Sequence, residues 1–116
     1  MKKMGMLGLM LMFLVSLVAC GGSKYDEAID KVIAQDKEAW MSINMDKTAK
    51  ELDRNTADIR VYDDGKYIYL GFGKNHESYY KRLSDGSYEG ASYDNKEYVK
   101  EDAKLVYEEK NGKTIK

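Results

Sequence analysis

The thiol of Cys20 and the imidazole of His76 are the side chains most able to carry chemistry alone, and each is the only residue of its type. A thiol can act as a nucleophile, a metal ligand or a site of covalent modification. An imidazole can act as a base or a metal ligand. His76 lies in a polar stretch with no other strong ligand arranged around it by sequence, so we expect a solvated loop residue there. The sequence thus predicts a protein that is not an enzyme and that holds no metal or cofactor.

Cys20 has a more specific context. It ends the segment Leu17-Val18-Ala19-Cys20, which resembles the lipobox of bacterial lipoprotein precursors. Leu17 and the small Ala19 fit cleavage by signal peptidase II, and the thiol of Cys20 is the group that receives diacylglycerol. An ordinary signal peptide followed by a chance cysteine is the alternative. With the thiol acylated, the mature chain has no disulfide and no cysteine ligand.

Residues 1–19 have the pattern of a cleaved signal peptide. Two lysines precede an apolar stretch from Met4 to Val18, which is shorter than the ~20 residues that a membrane-spanning helix needs. We expect residues 20–24 to form the lipidated start and a short tether, and residues 25–116 to form one domain. Two acyl chains would hold the protein stably on the outer face of the cytoplasmic membrane.

The charge of the chain is close to balanced. The formal net charge is −1, and loss of two lysines with the signal peptide would change it to −3. A weakly acidic mature protein is a poor match for nucleic acid or for an anionic lipid surface. We therefore expect no nucleic-acid partner.

The first element of the domain is predicted to be a helix from Tyr25 to Ile43. Its apolar residues recur every three or four positions, and Ser23 is a plausible N-cap. Asn44 is expected to interrupt the helix. The stretch from Met45 to Leu52 is then a second helix or a continuation.

After Asn55 the pattern changes to a two-residue period rich in tyrosine and β-branched residues, which is typical of a sheet. Two hairpins are predicted, with strands at Ala57–Tyr62, Tyr67–Gly73, Ser78–Leu83 and Tyr88–Tyr93. Ile59 and Val61 are expected to face the same core as Ile68, Leu70 and Phe72. The segment from Tyr98 to Lys110 is ambiguous, and we expect a short helical turn and then a strand near Lys104 to Glu109.

The ten tyrosines are the least ordinary feature of the composition. Most of them fall on predicted strands, and Tyr67, Tyr69, Tyr79 and Tyr88 are candidates for a binding face that takes a peptide or a glycan. Tyrosine is also a favoured strand residue for half-buried positions, so packing is the stronger explanation.

The order of these segments resembles a known family. The signal peptide, the lipobox, the start Ser23-Lys24-Tyr25-Asp26, Leu52-Asp53-Arg54-Asn55 and the stretch from Ile59 to Ile68 are similar to the cystatin-like-fold lipoproteins of staphylococci and related Gram-positive bacteria, a domain of unknown function. The resemblance implies an α+β fold, in which one long amphipathic helix packs on a curved antiparallel sheet of about four strands. Members often occur on mobile elements, which hints at a role near conjugation or phage machinery.

The fold name does not imply protease inhibition. Cystatin inhibitors use a Gln-x-Val-x-Gly hairpin and a Pro-Trp hairpin, whereas this chain has no proline and its only glutamine, Gln35, lies in the predicted helix. Two functions from different classes remain. One is a membrane-anchored, non-catalytic binding or accessory module with a protein partner at the cell surface. The alternative is a small-ligand or glycan binder that uses the tyrosine face.

Overall fold

The computed structural model describes residues 24–116. The helices and strands, in chain order, are α1 (Asp26–Ser42), α2 (Asp46–Glu51), β1 (Asp58–Tyr62), β2 (Tyr67–Phe72), β3 (His76–Arg82), β4 (Tyr88–Gly90), α3 (Tyr93–Glu101), β5 (Leu105–Lys110) and β6 (Lys113–Thr114). The predicted signal peptide, the lipobox with Cys20 and Ser23 lie outside the described residues. The N-cap position of α1 is Tyr25, so the prediction of a cap at Ser23 is wrong.

The strands form one antiparallel sheet in the order β4-β3-β2-β1-β5-β6. The described part of the sheet has six strands rather than about four, because β5 and β6 extend it on the side of β1. The predicted final strand is therefore confirmed as β5. Both outermost strands are short, with three residues in β4 and two in β6.

The first hairpin follows the prediction closely. β1 and β2 are joined by a turn in which Asp64 and Gly65 have positive φ angles of 57° and 96°. Glycine takes such angles without strain, which explains its place at the end of the turn. The register pairs Ile59 with Leu70 and aligns both side chains on one face of the sheet.

The core lies between α1 and that face of the sheet. Ile29 and Val32 of α1 are fully buried against the strands, together with four apolar residues of the first hairpin, which are Ile59, Val61, Ile68 and Leu70. Burying a side chain of this size stabilises the fold by about 1.5–3 kcal/mol. The predicted amphipathic stripe of α1 and the predicted core face of the first hairpin are confirmed.

The break between the two N-terminal helices is confirmed at Asn44. α1 ends at Ser42 and α2 begins at Asp46. Asn44 has a φ of 62°, in the left-handed region that asparagine tolerates better than most residues. The chain can therefore turn there and lay α2 beside α1.

The second half of the sheet differs from the prediction at its ends. β3 begins at His76 instead of Ser78, and β4 stops at Gly90 because α3 begins at Tyr93. The side-chain oxygen of Ser92 accepts a hydrogen bond of 3.2 Å from the backbone N–H of Asn95, which is a helix N-cap. α3 has nine residues and is thus more than the short helical turn that we expected.

α3 packs on the face of the sheet opposite α1, which we call the outer face. The ring of Tyr98 lies 5.6 Å from that of Tyr67, measured between centroids. Its hydroxyl donates a hydrogen bond of 2.6 Å to Asp63. α3 therefore covers the part of the outer face near the β1–β2 turn and leaves the part near the β2–β3 turn open.

Candidate functional site: the outer face of the sheet

Three of the four candidate tyrosines share the outer face. Tyr67 and Tyr69 alternate with the core residues of β2, and the ring centroid of Tyr79 on β3 lies 5.0 Å from that of Tyr69. Tyr88 lies on the other face. It is buried in the core under α1, and its hydroxyl donates a hydrogen bond of 2.7 Å to the carbonyl of Gly65. The structure thus separates Tyr88 from the other three.

These rings are mostly covered. Tyr67 is 5% exposed and Tyr69 is 7% exposed, whereas Tyr79 is half-buried. Tyr98 packs on Tyr67, and the guanidinium of Arg60 lies 5.1 Å above the ring centre of Tyr69. Packing between side chains therefore accounts for most of the aromatic area on this face, which agrees with the expectation from the sequence that these tyrosines are mainly packing residues.

The strand register arranges the outer face in rows that run across the sheet. The row beside the β2–β3 turn is Lys110, Asp58, Gly71 and Glu77, and the next row is Glu108, Arg60, Tyr69 and Tyr79. The first row has a gap at Gly71 because glycine has no side chain. One carboxylate lies on each side of this gap.

The hydroxyl of Tyr69 reaches into the gap. A Cβ atom on Gly71 would lie 2.6 Å from this oxygen, so any larger residue at this position would displace the ring of Tyr69. The hydroxyl donates a hydrogen bond of 2.7 Å to Glu77. Burial, followed by this hydrogen bond to the carboxylate, raises the pKa of Tyr69 above its ordinary value. Tyr69 is thus held as a neutral phenol with its proton directed at Glu77.

The gap is the floor of a cavity of about 560 Å³, which is lined by residues of β1, β2, β3, β5 and the β2–β3 turn. We call it the Gly71 groove and define it by Asp58, Tyr69, Gly71, Glu77 and Lys110. Asp58 Oδ2 pairs with Arg60 at 3.3 Å. Asp58 Oδ1 is buried and has no hydrogen-bond partner within the described part of the chain. A buried oxygen without a donor is uncommon in native structures.

His76 lies in β3 and is half-buried, so the prediction of a solvated loop residue is wrong. Its ring is 5.4 Å from that of Phe72 and 5.1 Å from that of Trp40, between centroids. Its Nε2 lies 3.9 Å from a carboxylate oxygen of Glu51. Within residues 24–116 there is no group of three or more His, Cys, Asp and Glu side chains that could hold a metal ion.

Sequence reasoning missed a buried carboxylate on α1. Asp36 is 4% exposed. It accepts hydrogen bonds from Tyr80 at 2.6 Å, from Ser78 at 2.9 Å and from Trp40 at 3.2 Å. Its position continues the buried stripe of α1, and a polar residue in such a stripe is the signal that could have revealed it. Asp36 fastens α1 to β3 and plays no part in the outer face.

A second polar cluster, around Arg54, was also missed. The guanidinium of Arg54 bonds both carboxylate oxygens of Glu109 on β5, at 2.9 and 3.1 Å. It also pairs with Asp26 and Asp30 on α1. Glu109 is 2% exposed and accepts a further hydrogen bond of 2.7 Å from Tyr107. Like Asp36, this cluster joins α1 to the sheet.

Comparison with known proteins gives a relative and a family. The chain is 50% identical over 66 residues to the uncharacterized protein YddJ of Bacillus subtilis (strain 168), which is 57% of this chain and 48% of the relative. The chain thus spans about half the length of that relative. No solved structure matches. In the described part of the chain, no helix combines the length and hydropathy needed to cross a membrane.

Residues 25–114 match the model of a domain of unknown function with cystatin-like fold (DUF4467). The match covers both N-terminal helices, α3 and all six strands of the described sheet. The expected α+β architecture, with helices packed on an antiparallel sheet, is therefore confirmed. The chain belongs to this family of cystatin-like domains.

Proposed function

We propose that the mature protein is a lipid-anchored, non-catalytic binding module on the outer face of the cytoplasmic membrane. In this proposal, diacylglycerol on Cys20 anchors the chain, and the open part of the outer face contacts a protein partner in the cell envelope. The Gly71 groove is the observation that carries the binding role, because it is a concave, polar surface near the half-buried ring of Tyr79. The family resemblance adds the proposal that the partner belongs to a mobile element.

The lipobox pattern supports the anchor. Leu17, Ala19 and Cys20 have the residue types and spacing that signal peptidase II requires, and α1 begins only six residues after Cys20. A tether of four residues, 21–24, reaches about 14 Å when extended. The domain would therefore stay close to the membrane.

Intact mass of the membrane-extracted protein tests the anchor. We expect residues 1–19 to be absent and Cys20 to carry the mass of diacylglycerol. The Cys20→Ala variant is expected to lack that mass and to leave the membrane fraction. A secreted, unmodified wild-type chain would contradict the anchor.

Site-specific photo-crosslinking in cells tests the binding role. A crosslinking residue replaces Glu77 at the groove, and the matched control replaces Glu38, which is exposed on α1. We expect a discrete adduct with an envelope protein at position 77 and none at position 38. No adduct at either position, or the same adducts at both, would contradict binding through the outer face.

A small ligand or a glycan is the second candidate, and the half-buried ring of Tyr79, which packs on Tyr69, favours it. This candidate predicts that soluble cell-wall fragments change the tyrosine fluorescence of the protein. The change is expected to disappear in Tyr79→Ala. It should persist in Tyr93→Ala, because Tyr93 is 75% exposed on α3. Equal effects of the two substitutions would exclude the candidate.

A further inference from the structure

The turn between β5 and β6 contains the only asparagine of the chain that is followed by glycine, in the pair Asn111-Gly112. Lys110 and Lys113 pair across it, so the connection has two residues. Asn111 has a φ of 54° and Gly112 has a φ of 76°, and two positive angles are typical of the tight hairpin turn that an Asn-Gly pair favours. Both residues are exposed, so the pair is accessible to water.

Two groups that can react with each other are adjacent in this turn. The side-chain amide of Asn111 and the backbone N–H of Gly112 have no hydrogen-bond partner within residues 24–116. Glycine has no side chain that would hinder the approach of the neighbouring side-chain amide to its nitrogen. The nitrogen of Gly112 can therefore reach the side-chain carbonyl carbon of Asn111 without the loss of a hydrogen bond by either group.

We propose that Asn111 is a site of spontaneous deamidation. The backbone nitrogen of Gly112 loses its proton to hydroxide and attacks the side-chain carbonyl carbon of Asn111. A carbon–nitrogen bond forms, ammonia leaves with a proton from water, and a five-membered imide remains. Water then opens the imide at one of its two carbonyls, which gives aspartate or isoaspartate. The chain has gained one water and lost one ammonia, and no oxidant or reductant is needed.

The two Asp-Gly pairs of the described chain could form the same imide, but their carboxylates are held. Asp64 accepts a hydrogen bond of 2.8 Å from Tyr25 and pairs with Lys24 at 2.9 Å. Asp85 accepts hydrogen bonds from the backbone N–H and the hydroxyl of Ser87, at 3.0 and 2.6 Å. An ionised carboxylate is also a poorer electrophile than a neutral amide. The other asparagines precede residues whose side chains hinder the attack, and they are Asn44, Asn55, Asn75 and Asn95.

The modification has a structural consequence for β6. Isoaspartate continues the chain through its side-chain carbon and so adds one backbone atom to a turn of two residues. Lys113 and Thr114 cannot then keep their register with Lys110 and Glu109. β6 consists of these two exposed residues, so little holds it in place. We expect the isoaspartate form to release β6 and to lengthen the unpaired edge of β5.

Peptide mass spectrometry of the full-length protein in detergent micelles tests the site. After incubation at mildly alkaline pH, the peptide that contains Asn111 is expected to gain about one mass unit and to separate into two products. The rate should rise in proportion to the hydroxide concentration. Asn111→Gln would need a six-membered ring and is expected to remain unmodified over the same period. Asn75 is exposed and precedes histidine, so it is an internal control that should also remain unmodified.

Comparison with the chain unfolded in guanidinium chloride separates the effect of the turn from that of the Asn-Gly pair. Folding is expected to slow the reaction by less than about tenfold, the effect of about one hydrogen bond, because neither reacting group has one to lose. Protection by about a hundredfold or more, which corresponds to two such bonds, would overturn the inference. Faster modification of Asn75 than of Asn111 would also overturn it.

Hydrogen exchange of the isolated isoaspartate form tests the release of β6. The amides of Ile115 and Lys116 bond the carbonyl of Glu108 in the unmodified chain. They are expected to exchange with deuterium faster after the modification, while the amides of β2 keep their rates. Unchanged exchange at Ile115 and Lys116 would show that the longer turn still holds β6 and would overturn this consequence.

Discussion

At the scale of single residues, Arg54 is the side chain on which the joint between α1 and the sheet depends most. It bonds Asp26 and Asp30 on α1 and both oxygens of Glu109 on β5. The side chain of Glu109 is 3% exposed. A carboxylate in such a place must be compensated, because the penalty for an isolated buried charge is several kcal/mol.

Arg54→Leu is therefore expected to destabilise the protein by about 3 kcal/mol, since it leaves Glu109 buried without its cation. The midpoint of urea unfolding measures this. Lys24→Ala is the control, because Lys24 and Asp64 form an ion pair whose side chains are 70% and 74% exposed, and its loss should not move the midpoint. Equal midpoints for the two variants would show that the buried pair contributes little.

Glu109 also makes stability depend on pH. Burial alone raises the pKa of Glu109, but hydrogen bonds from Arg54 and Tyr107 outweigh it, so the pKa in the folded protein lies below the usual 4.5. The unfolded chain then takes up the proton first as the pH falls. This contribution to stability is complete above about pH 4.5 and is lost as the pH falls through the lower, folded value.

The Glu109→Gln variant is expected to be less stable than the wild type at pH 7 and to lose less stability on acidification. Unfolding by urea at a series of pH values between 7 and 3 gives both curves. Parallel curves below pH 4.5 would mean that Glu109 does not contribute to the acid sensitivity of the fold.

At the scale of elements, the turn between α1 and α2 depends on one backbone conformation. Asn44 has a φ of 62°. This left-handed conformation costs most residues about 1–2 kcal/mol, and glycine adopts it freely. The turn is also short, so the chain has few other residues that could absorb the change in direction.

Two substitutions of Asn44 test this. Asn44→Gly is expected to leave the free energy of unfolding nearly unchanged. Asn44→Val is expected to lower it by about 1–2 kcal/mol, because a β-branched residue is strained at positive φ. Thermal unfolding followed by circular dichroism compares the two. Coinciding curves would show that the backbone angle at Asn44 is not under constraint.

An element could be predicted well when the sequence pattern that determines it lies within the element itself. The apolar stripe of α1 and the first hairpin repeat over many residues, so their periodicity was sufficient. Tyr93 was assigned to a strand because tyrosine favours strands, whereas the N-cap at Ser92 decides for a helix. Tyr88 was placed on the wrong face because its orientation follows from its pairing with Arg82 across β3 and β4, which no local pattern reveals.

The candidate site is harder to predict than the elements, because its residues are brought together only by the register of the strand pairs. Asp58, Gly71 and Glu77 are far apart in sequence and meet only through the pairing of three strands. Sequence reasoning found Tyr69 and Tyr79 as outer-face candidates from their residue type. The sequence alone did not reveal that one carboxylate lies on each side of Gly71.

At the scale of the whole molecule, the sheet is covered unequally. α1 covers one face, α3 covers part of the other, and β2 lies between β1 and β3 with all six residues buried. Only Val99 is buried within α3, so little apolar area holds this helix to the sheet. Segments with few buried contacts open at lower free energies than the core of a protein.

We therefore expect the amides of α3 to exchange with deuterium much faster than those of β2. Hydrogen exchange followed residue by residue by NMR measures this, and α1 serves as an internal reference because four of its residues are buried. The slowest amides should be in β1 and β2. Protection of α3 equal to that of β2 would mean that α3 opens only when the whole domain unfolds.

The short strands at the two borders of the sheet matter when many copies of the domain lie side by side. β4 pairs with only three residues of β3, Tyr80 to Arg82, and β6 pairs with only Glu109 and Lys110 of β5. The residues after β6 reinforce this border, since the amides of Ile115 and Lys116 both bond the carbonyl of Glu108. Long open edges template aggregation when many copies are packed side by side. In the described sheet, residues 76–78 of β3 and 105–107 of β5 pair with no strand on their outer side, so these two stretches are where closely packed copies could add a strand.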